Sequence, residues 1–259
     1  VTYRHIRLEQ SAAGVATLTI ARPDRLNALS AQTVDELRAA VGEVSNSGAR
    51  CLLLAGEGRG FSSGADLAGS GGLPDDAGAA LEKHFNPLVE ALFALPIPVV
   101  AAVNGPCAGA GCSLALAADI VIAGRSAYFL QAFVNIGLIP DAGATWLLPR
   151  LAGRARAIEM MMLGERVPAE QALAWGMISR VVEDEDLETE SVALATRLAQ
   201  GPTVALGLIR RLAREAAHLP LSDALAAERA AQREAGRTED FRSAVAAFLQ
   251  KKQARFDGK

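Results

Sequence analysis

A single carboxylate stands in the stretch "FVNIGLIPDAGATWLL". From Phe133 to Leu148, Asp141 is the one ionisable side chain, set among Val134, Ile136, Leu138, Ile139, Trp146, Leu147 and Leu148. An acid in apolar surroundings is disfavoured in its charged form, so its pKa rises and it becomes a stronger base. A pocket lined by residues such as Phe133 and Ile136 would have that effect. An aspartate at a helix start can equally be a cap, and here a helix over 142–149 is expected. These residues alone leave both readings open.

Two other stretches carry a second kind of chemistry. "LLLAGEGRGFSSGADL" (52–67) and "PVVAAVNGPCAGAGCSLALAADI" (98–120) each run from an apolar strand into a glycine-rich bend and a helix start. Backbone N–H groups at such bends are left unpaired and can receive an anion or a developing oxyanion. Two of them converging would form an oxyanion hole, with each donor typically worth about 3–4 kcal/mol. Tight packing is the other reading of these glycines. Neither stretch is a Walker or dinucleotide fingerprint.

The remaining candidates are weaker. Cys51, Cys107 and Cys112 form neither a disulfide framework nor CxxC spacing, and read as small core residues of a reducing compartment. His5, His84 and His218 are scattered without metal spacing, so no metal is expected. A net charge of −3 gives no reason to expect nucleic acid. The start "VTYRHIRLEQ" lacks a basic region followed by an apolar one, so the expected location is cytoplasmic. Residues 91–118 carry no charge, but Pro96, Pro98 and Pro106 interrupt them, which reads as buried core rather than a membrane span.

The elements that must position these groups are legible as an α/β chain. "GVATLTI" alternates as a strand, and "YRHIRLEQ" before it can pair as a hairpin. Ser30 caps a helix through about residue 46, and "CLLLAG" is an apolar strand. Residues 68–78 read as a mobile loop, followed by a helix to about Leu95 and the strand "PVVAAV". A short helix over Ser113–Ala117 and the strand "DIVIAG" come next. Strands apolar on both faces imply a sheet covered by helices and built from crossover units. Beyond residue 150 the patterns are helical except for "MISRVV". Thr238 caps a last helix bearing Phe241, Val245 and Phe248 at i, i+4, i+7. The expected division is 1–195 for a sheet-rich core and 196–259 for a helical C-terminal subdomain.

"RPDRLNAL" (22–29), "GRGFSSGADL" (58–67), "AVNGPCAGAGCSLALAADIVIA" (102–123) and "GLIPDAGATWLLPRLAGRARAIEMMMLGERVPAEQALAWGMISRVV" (137–182) together resemble the enoyl-CoA hydratase/isomerase family, the crotonases. The resemblance implies a ClpP-like spiral of ββα units with C-terminal helices that build a homotrimer, or a dimer of trimers. It implies a coenzyme A thioester as substrate, no permanently bound cofactor, and neither a nucleic-acid nor a membrane partner. The oxyanion donors would be the N–H groups of Ala65 and Ala110, with Gly64 and Gly109 before them and Asp66 bracing the first bend and capping its helix. Arg25, Ala28, Ser63 and Leu67 fall in the segments that lie along the acyl-CoA. Phe256 and Lys259 are candidates to reach a CoA in a neighbouring subunit.

Departures from the family pattern are informative. A hydratase of this family uses two glutamates, and those positions hold Ser113 and Phe133 here. Neither accepts and returns a proton near neutral pH, whereas adding water needs an activated nucleophile. Members that shift double bonds place an aspartate where Asp141 stands, and the Asp141 segment is especially similar to the ring 1,2-epoxyphenylacetyl-CoA isomerase branch. The expected activity is therefore double-bond shift, or rearrangement of a ring epoxide, through a thioester enolate. The alternatives are a 2-enoyl-CoA hydratase working through Asp141 and a water held by Ser113, and a non-catalytic acyl-CoA or RNA binder. In the 4-chlorobenzoyl-CoA dehalogenase branch the aspartate is a nucleophile beside a histidine, which would draw in His84. That branch carries a tryptophan at the position of Phe133.

Overall fold

The computed structural model describes residues 2–67 and 76–259. The chain runs through β1 (Ile6–Gln10), β2 (Val15–Ile20), a 3-10 turn at Pro23–Arg25, α1 (Ala31–Asn46), β3 (Cys51–Gly56), α2 (Ala77–Ala80), a π-helical turn at Leu81–Phe85, and α3 (Asn86–Ala94). It continues with β4 (Val99–Val103), β5 (Pro106–Ala108), α4 (Gly109–Leu116), β6 (Ile120–Gly124), β7 (Tyr128–Leu130), a 3-10 turn at Ala132–Ile136, and α5 (Ala144–Leu151). Then come α6 (Arg154–Leu163), β8 (Arg166–Pro168), α7 (Ala169–Ala174), β9 (Arg180–Val182), α8 (Leu187–Ala199), α9 (Thr203–Glu215), α10 (Leu221–Ala235) and α11 (Glu239–Leu249).

The expected hairpin forms: β1 lies antiparallel to β2, with Ile6 opposite Ile20. Strands β3, β4, β6 and β9 then add in parallel, giving the order β1-β2-β3-β4-β6-β9. Both faces of the central strands are apolar because both are covered. Leu52, Leu54, Val99 and Ala101 join the main core with α1, α3 and α4; Cys51, Leu53, Val100 and Ala102 face the other way, onto Leu187, Leu194, Ala195 and Ala199 of α8.

A second, smaller sheet has the order β5-β7-β8. Single bridges extend it, Ser62 with Cys107 and Leu29 with Ala65. Each long strand of the first sheet thus hands the chain to a short segment in the second layer: β3 to residues 62–65, β4 to β5, β6 to β7. That repeat is the ββα spiral. It stacks the two glycine-rich bends side by side.

Several expectations need correction. Helix α4 starts at Gly109 rather than Ser113, so the second bend is shorter than expected and Ala110 lies inside the helix's first turn. Helix α5 starts at Ala144, not 142. Strands β7 and β8, three residues each, and helix α10 carry no pattern that foretold them. The expected mobile loop lies outside the described residues apart from 76–78, where Asp76 caps α2. The boundary expected at 195 falls within α8, which packs on the sheet. Among the described residues no single helix is long and apolar enough to cross a membrane.

A buried arginine ties α9 to this core. The Arg210 guanidinium donates to Asp119 Oδ2 at 2.6 Å and to the carbonyls of Leu92, Phe93 and Leu95, while Arg214 takes Asp119 Oδ1 at 2.7 Å. It therefore satisfies the open carbonyl end of α3 as well as pairing a charge. Arg210→Met retains most of the stem but removes every one of those donors. It is expected to lower unfolding stability by about 3–5 kcal/mol in a denaturant titration. Arg214→Met, which leaves Arg210 on Asp119, is expected to cost less.

Candidate active site

The first bend is built by residues with no catalytic look. Leu26 and Asn27 both adopt positive φ, +50° and +56°, turning the chain back after Arg25. The buried Asn27 side chain donates to the carbonyls of Glu57 and Gly60 and accepts from the N–H of Arg22. Arg22 donates to the carbonyl of Ala28 and pairs with Asp66 at 2.8 Å, both side chains largely buried. Ser62 donates to Asn27 O at 2.8 Å and accepts from Gly64 N–H. These contacts hold residues 62–66 in one shape. Arg22, Asn27 and Ser62 were missed by the sequence reading, although Arg22 and Asn27 lie inside "RPDRLNAL".

The two bends touch at glycines. Gly64 has φ +92°, and a Cβ there would sit 3.0 Å from Ala108 O and 3.4 Å from Gly109 Cα. Gly109 has φ +52°, and its Cβ would lie 3.6 Å from Gly64 Cα and 3.7 Å from the tip of the Phe133 ring. Two residues on, a Cβ at Gly111 would strike Ser62 Oγ at 2.5 Å. The backbone can approach this closely only where side chains are missing. The next residues along each bend are Ala65 and Ala110. Among the described residues the Ala65 N–H makes no hydrogen bond. Ala110 is second in α4, where an N–H has no acceptor within the helix.

Asp141 reaches this junction through Ser113. The buried Ser113 hydroxyl lies 2.9 Å from Asp141 O and 3.3 Å from Gly109 O. Asp141 O also accepts from Ala144 N–H at 3.0 Å. After Asp141 come two left-handed residues, Ala142 at φ +49° and Gly143 at +87°. Gly143 is the residue before α5, and no side chain caps that helix. The helix-cap reading of Asp141 is therefore excluded. Its Oδ1 is buried with no hydrogen-bond partner, and burial pushes its carboxyl up from 3.8 to about 6.

The surroundings differ from the greasy cleft expected in one respect. Phe133 is buried, but Val134, Ile136, Leu138 and Ile139 are exposed, Ile139 at 79 %. Ile136, expected beside the carboxylate, is 56 % exposed. The 3-10 turn over Ala132–Ile136 and the left-handed Gly137 swing that segment outward. The carboxylate is more buried than the aliphatic residues that precede it.

The other candidates divide. Ser63, exposed, lies beside Arg25, its hydroxyl 3.5 Å from Arg25 O; Arg25 itself is exposed next to Asp24. Leu67 is exposed and Ala28 buried. The helix that Asp66 was expected to cap lies outside the described residues; its brace on the bend is the Arg22 pair. Phe256 and Lys259 are not brought to Asp141 within the chain. Phe256 O accepts from Arg50, and Lys259 O accepts from the N–H of the buried Asp240. His84 is paired with Asp35 at 2.8 Å and His5 with Thr33. All three cysteines are free and buried, and no group of potential metal ligands occurs among the described residues.

Comparison with known proteins identifies the family and the fold. Residues 10–259 match the family model "Enoyl-CoA hydratase/isomerase". The chain is 49 % identical to "1,2-epoxyphenylacetyl-CoA isomerase" of Escherichia coli K12, covering 95 % of this chain and 96 % of that protein. It is 43 % identical over the whole length of both chains to a Rhodobacter capsulatus protein named "Probable enoyl-CoA hydratase". The solved structure of an enoyl-CoA hydratase from Bacillus anthracis superposes with a TM-score of 0.94 at 28 % identity, over 99 % of this chain and 100 % of that one. The fold is the crotonase fold, with its helical C-terminal region.

An uncompensated buried carboxylate has a measurable cost. Because folding raises the Asp141 pKa, the native state resists losing that proton. The penalty is absent below about pH 4 and complete above about pH 6. Asp141→Asn is expected to be more stable than the parent by up to about 3 kcal/mol at pH 8. In denaturant titrations that gain should vanish toward pH 4.

Proposed function

From the enoyl-CoA hydratase/isomerase family, to which this chain belongs, we propose that it is an acyl-CoA isomerase that shifts a double bond through a thioester enolate. One observation carries the reading. The backbone carbonyl of Asp141 is tied by Ser113 to the helix that carries Ala110, and the Asp141 Oδ1 is buried without a partner. Asp66, the other acid at the junction, is engaged by Arg22.

The geometry suits a 1,3-proton shift. Protons between a thioester carbonyl and a β,γ double bond become acidic only if the charge that develops on the carbonyl oxygen is met. The N–H groups of Ala65 and Ala110 would meet it, in a site where such donors act without reorganising. The Asp141 carboxylate removes a proton from C2, the C–H electron pair moves into the C1–C2 bond, and the carbonyl electrons move to oxygen. The electrons then return from oxygen, the double bond settles between C2 and C3, and Asp141 delivers its proton to C4. One acid/base suffices. A carboxyl near pH 6 gains a proton more readily than an ordinary aspartate and still releases it at neutral pH.

Hydration asks for more. The water would need a holder, and the Ser113 hydroxyl is wholly buried and directed at backbone carbonyls. Arg25, beside Ser63 at the mouth of the first bend, is the cation for a CoA phosphate. A homotrimer, or a pair of trimers, in the cytoplasm completes the reading. The uncovered apolar face of α11, with Phe241, Val245 and Phe248 exposed, supports an assembly. The name of the 49 % identical relative makes a ring 1,2-epoxyphenylacetyl thioester the second acyl class to try.

Spectrophotometric assay of 3-enoyl-CoA conversion to 2-enoyl-CoA, beside hydration of crotonyl-CoA, tests this. Isomerisation should dominate, and Asp141→Asn should lower its kcat by about 100- to 10,000-fold. The base must be ionised, so kcat/KM should climb as pH rises through about 6 and level off above it. Dominant hydration that survives Asp141→Asn would overturn the reading.

A further inference from the structure

We propose that Ser113 is the positioning residue that fixes the reach between the acid/base and the oxyanion donors. The inference rests on the isomerase reading and adds to it a role for a side chain that itself touches no substrate. Ser113 sits on α4, one turn beyond Ala110, and its hydroxyl lies between two carbonyls. Gly109 O, 3.3 Å away, belongs to the bend that carries one oxyanion donor; Asp141 O, 2.9 Å away, belongs to the turn that carries the acid.

The turn needs such a strut. Ala142, an L-residue with a buried methyl group, is held at φ +49°, and Gly143 follows at +87°. A left-handed alanine is strained and persists only where its surroundings over-determine it. Among the described residues, Ser113 makes the one side-chain hydrogen bond to residues 139–143. The bond lands on the carbonyl just before the strained peptide. Removing it leaves the Asp141 carbonyl with the Ala144 N–H alone, and the loosened Asp141–Ala142 peptide can relax toward the ordinary right-handed region, carrying the carboxylate away from its buried position. The position where a hydratase of this family carries a catalytic glutamate has become a brace.

Ser113→Cys keeps the volume with a poor donor, and Ser113→Ala removes the donor altogether. In both, kcat for 3-enoyl-CoA isomerisation should fall about 10- to 100-fold, the scale of an ångström-sized misplacement. KM and the dissociation constant for coenzyme A should stay within about twofold of the parent, because the CoA-facing segments are untouched. The low-pH limb of kcat/KM should move below 6, because a carboxylate swung toward water regains ordinary acidity. A fall in kcat without movement of that limb would report only a smaller folded fraction, which leaves KM unchanged, and would overturn the strut. If Ser113→Cys keeps the parental kcat and pH limb while Asp141→Asn is inactive, the strut is wrong and the isomerase reading stands. If Asp141→Asn is active, the isomerase reading itself fails.

Discussion

The site depends on two backbone bends being able to touch. Gly64 and Gly109 meet with their α-carbons against one another, and Gly111 lies against Ser62 so closely that a methyl group would overlap its hydroxyl. That approach brings together the bends whose next residues are Ala65 and Ala110. The rest of the fold serves it. The spiral of long and short strands repeats the same strand-to-bend hand-over, so two bends arrive in neighbouring layers. Because the proposed donors belong to the backbone, an alanine at position 110 would serve as well as a glycine.

The acid is positioned by opposite means. It sits in a turn that the backbone disfavours, with one oxygen buried and unpaired. The left-handed backbone and the unpaired buried oxygen both cost stability. Burial raises the carboxyl toward 6, which costs stability at neutral pH and suits a group that must both take and return a proton. Strain and desolvation of this kind persist only in a rigid setting. The setting here is α4, fully buried along its length, and the closely packed start of α5.

Much of this was legible in the sequence, and the reasons are specific. The β-branched runs of β2 and β4, the apolar run of β3 and the Ser30 cap of α1 are local signals, and they held. Asp141 was conspicuous because it was alone in an apolar segment. What was not legible is tertiary. Strands β7 and β8 are too short to show a period, and exist because the spiral supplies partners. Gly109 reads as a loop residue, yet it opens a helix, because its position is fixed by Gly64 and Phe133 rather than by its own propensity. The outward turn of 134–139 reversed the expected burial, since a left-handed glycine redirects a chain that composition alone would put inside. Asn27 and Ser62 act through bonds to carbonyls far off in sequence, and Arg22 through the distant Asp66 carboxylate, which no spacing rule reveals.

All of this reduces to a geometric claim about one thioester. A crystal structure with a non-isomerisable acyl-CoA analogue would test it most directly. The account predicts the thioester oxygen within about 2.7–3.1 Å of both the Ala65 and Ala110 nitrogens. It also predicts an Asp141 carboxylate oxygen about 3–3.5 Å from C2 of the acyl chain. A thioester oxygen bonded elsewhere, or an Asp141 side chain turned away from the acyl carbons, would contradict it.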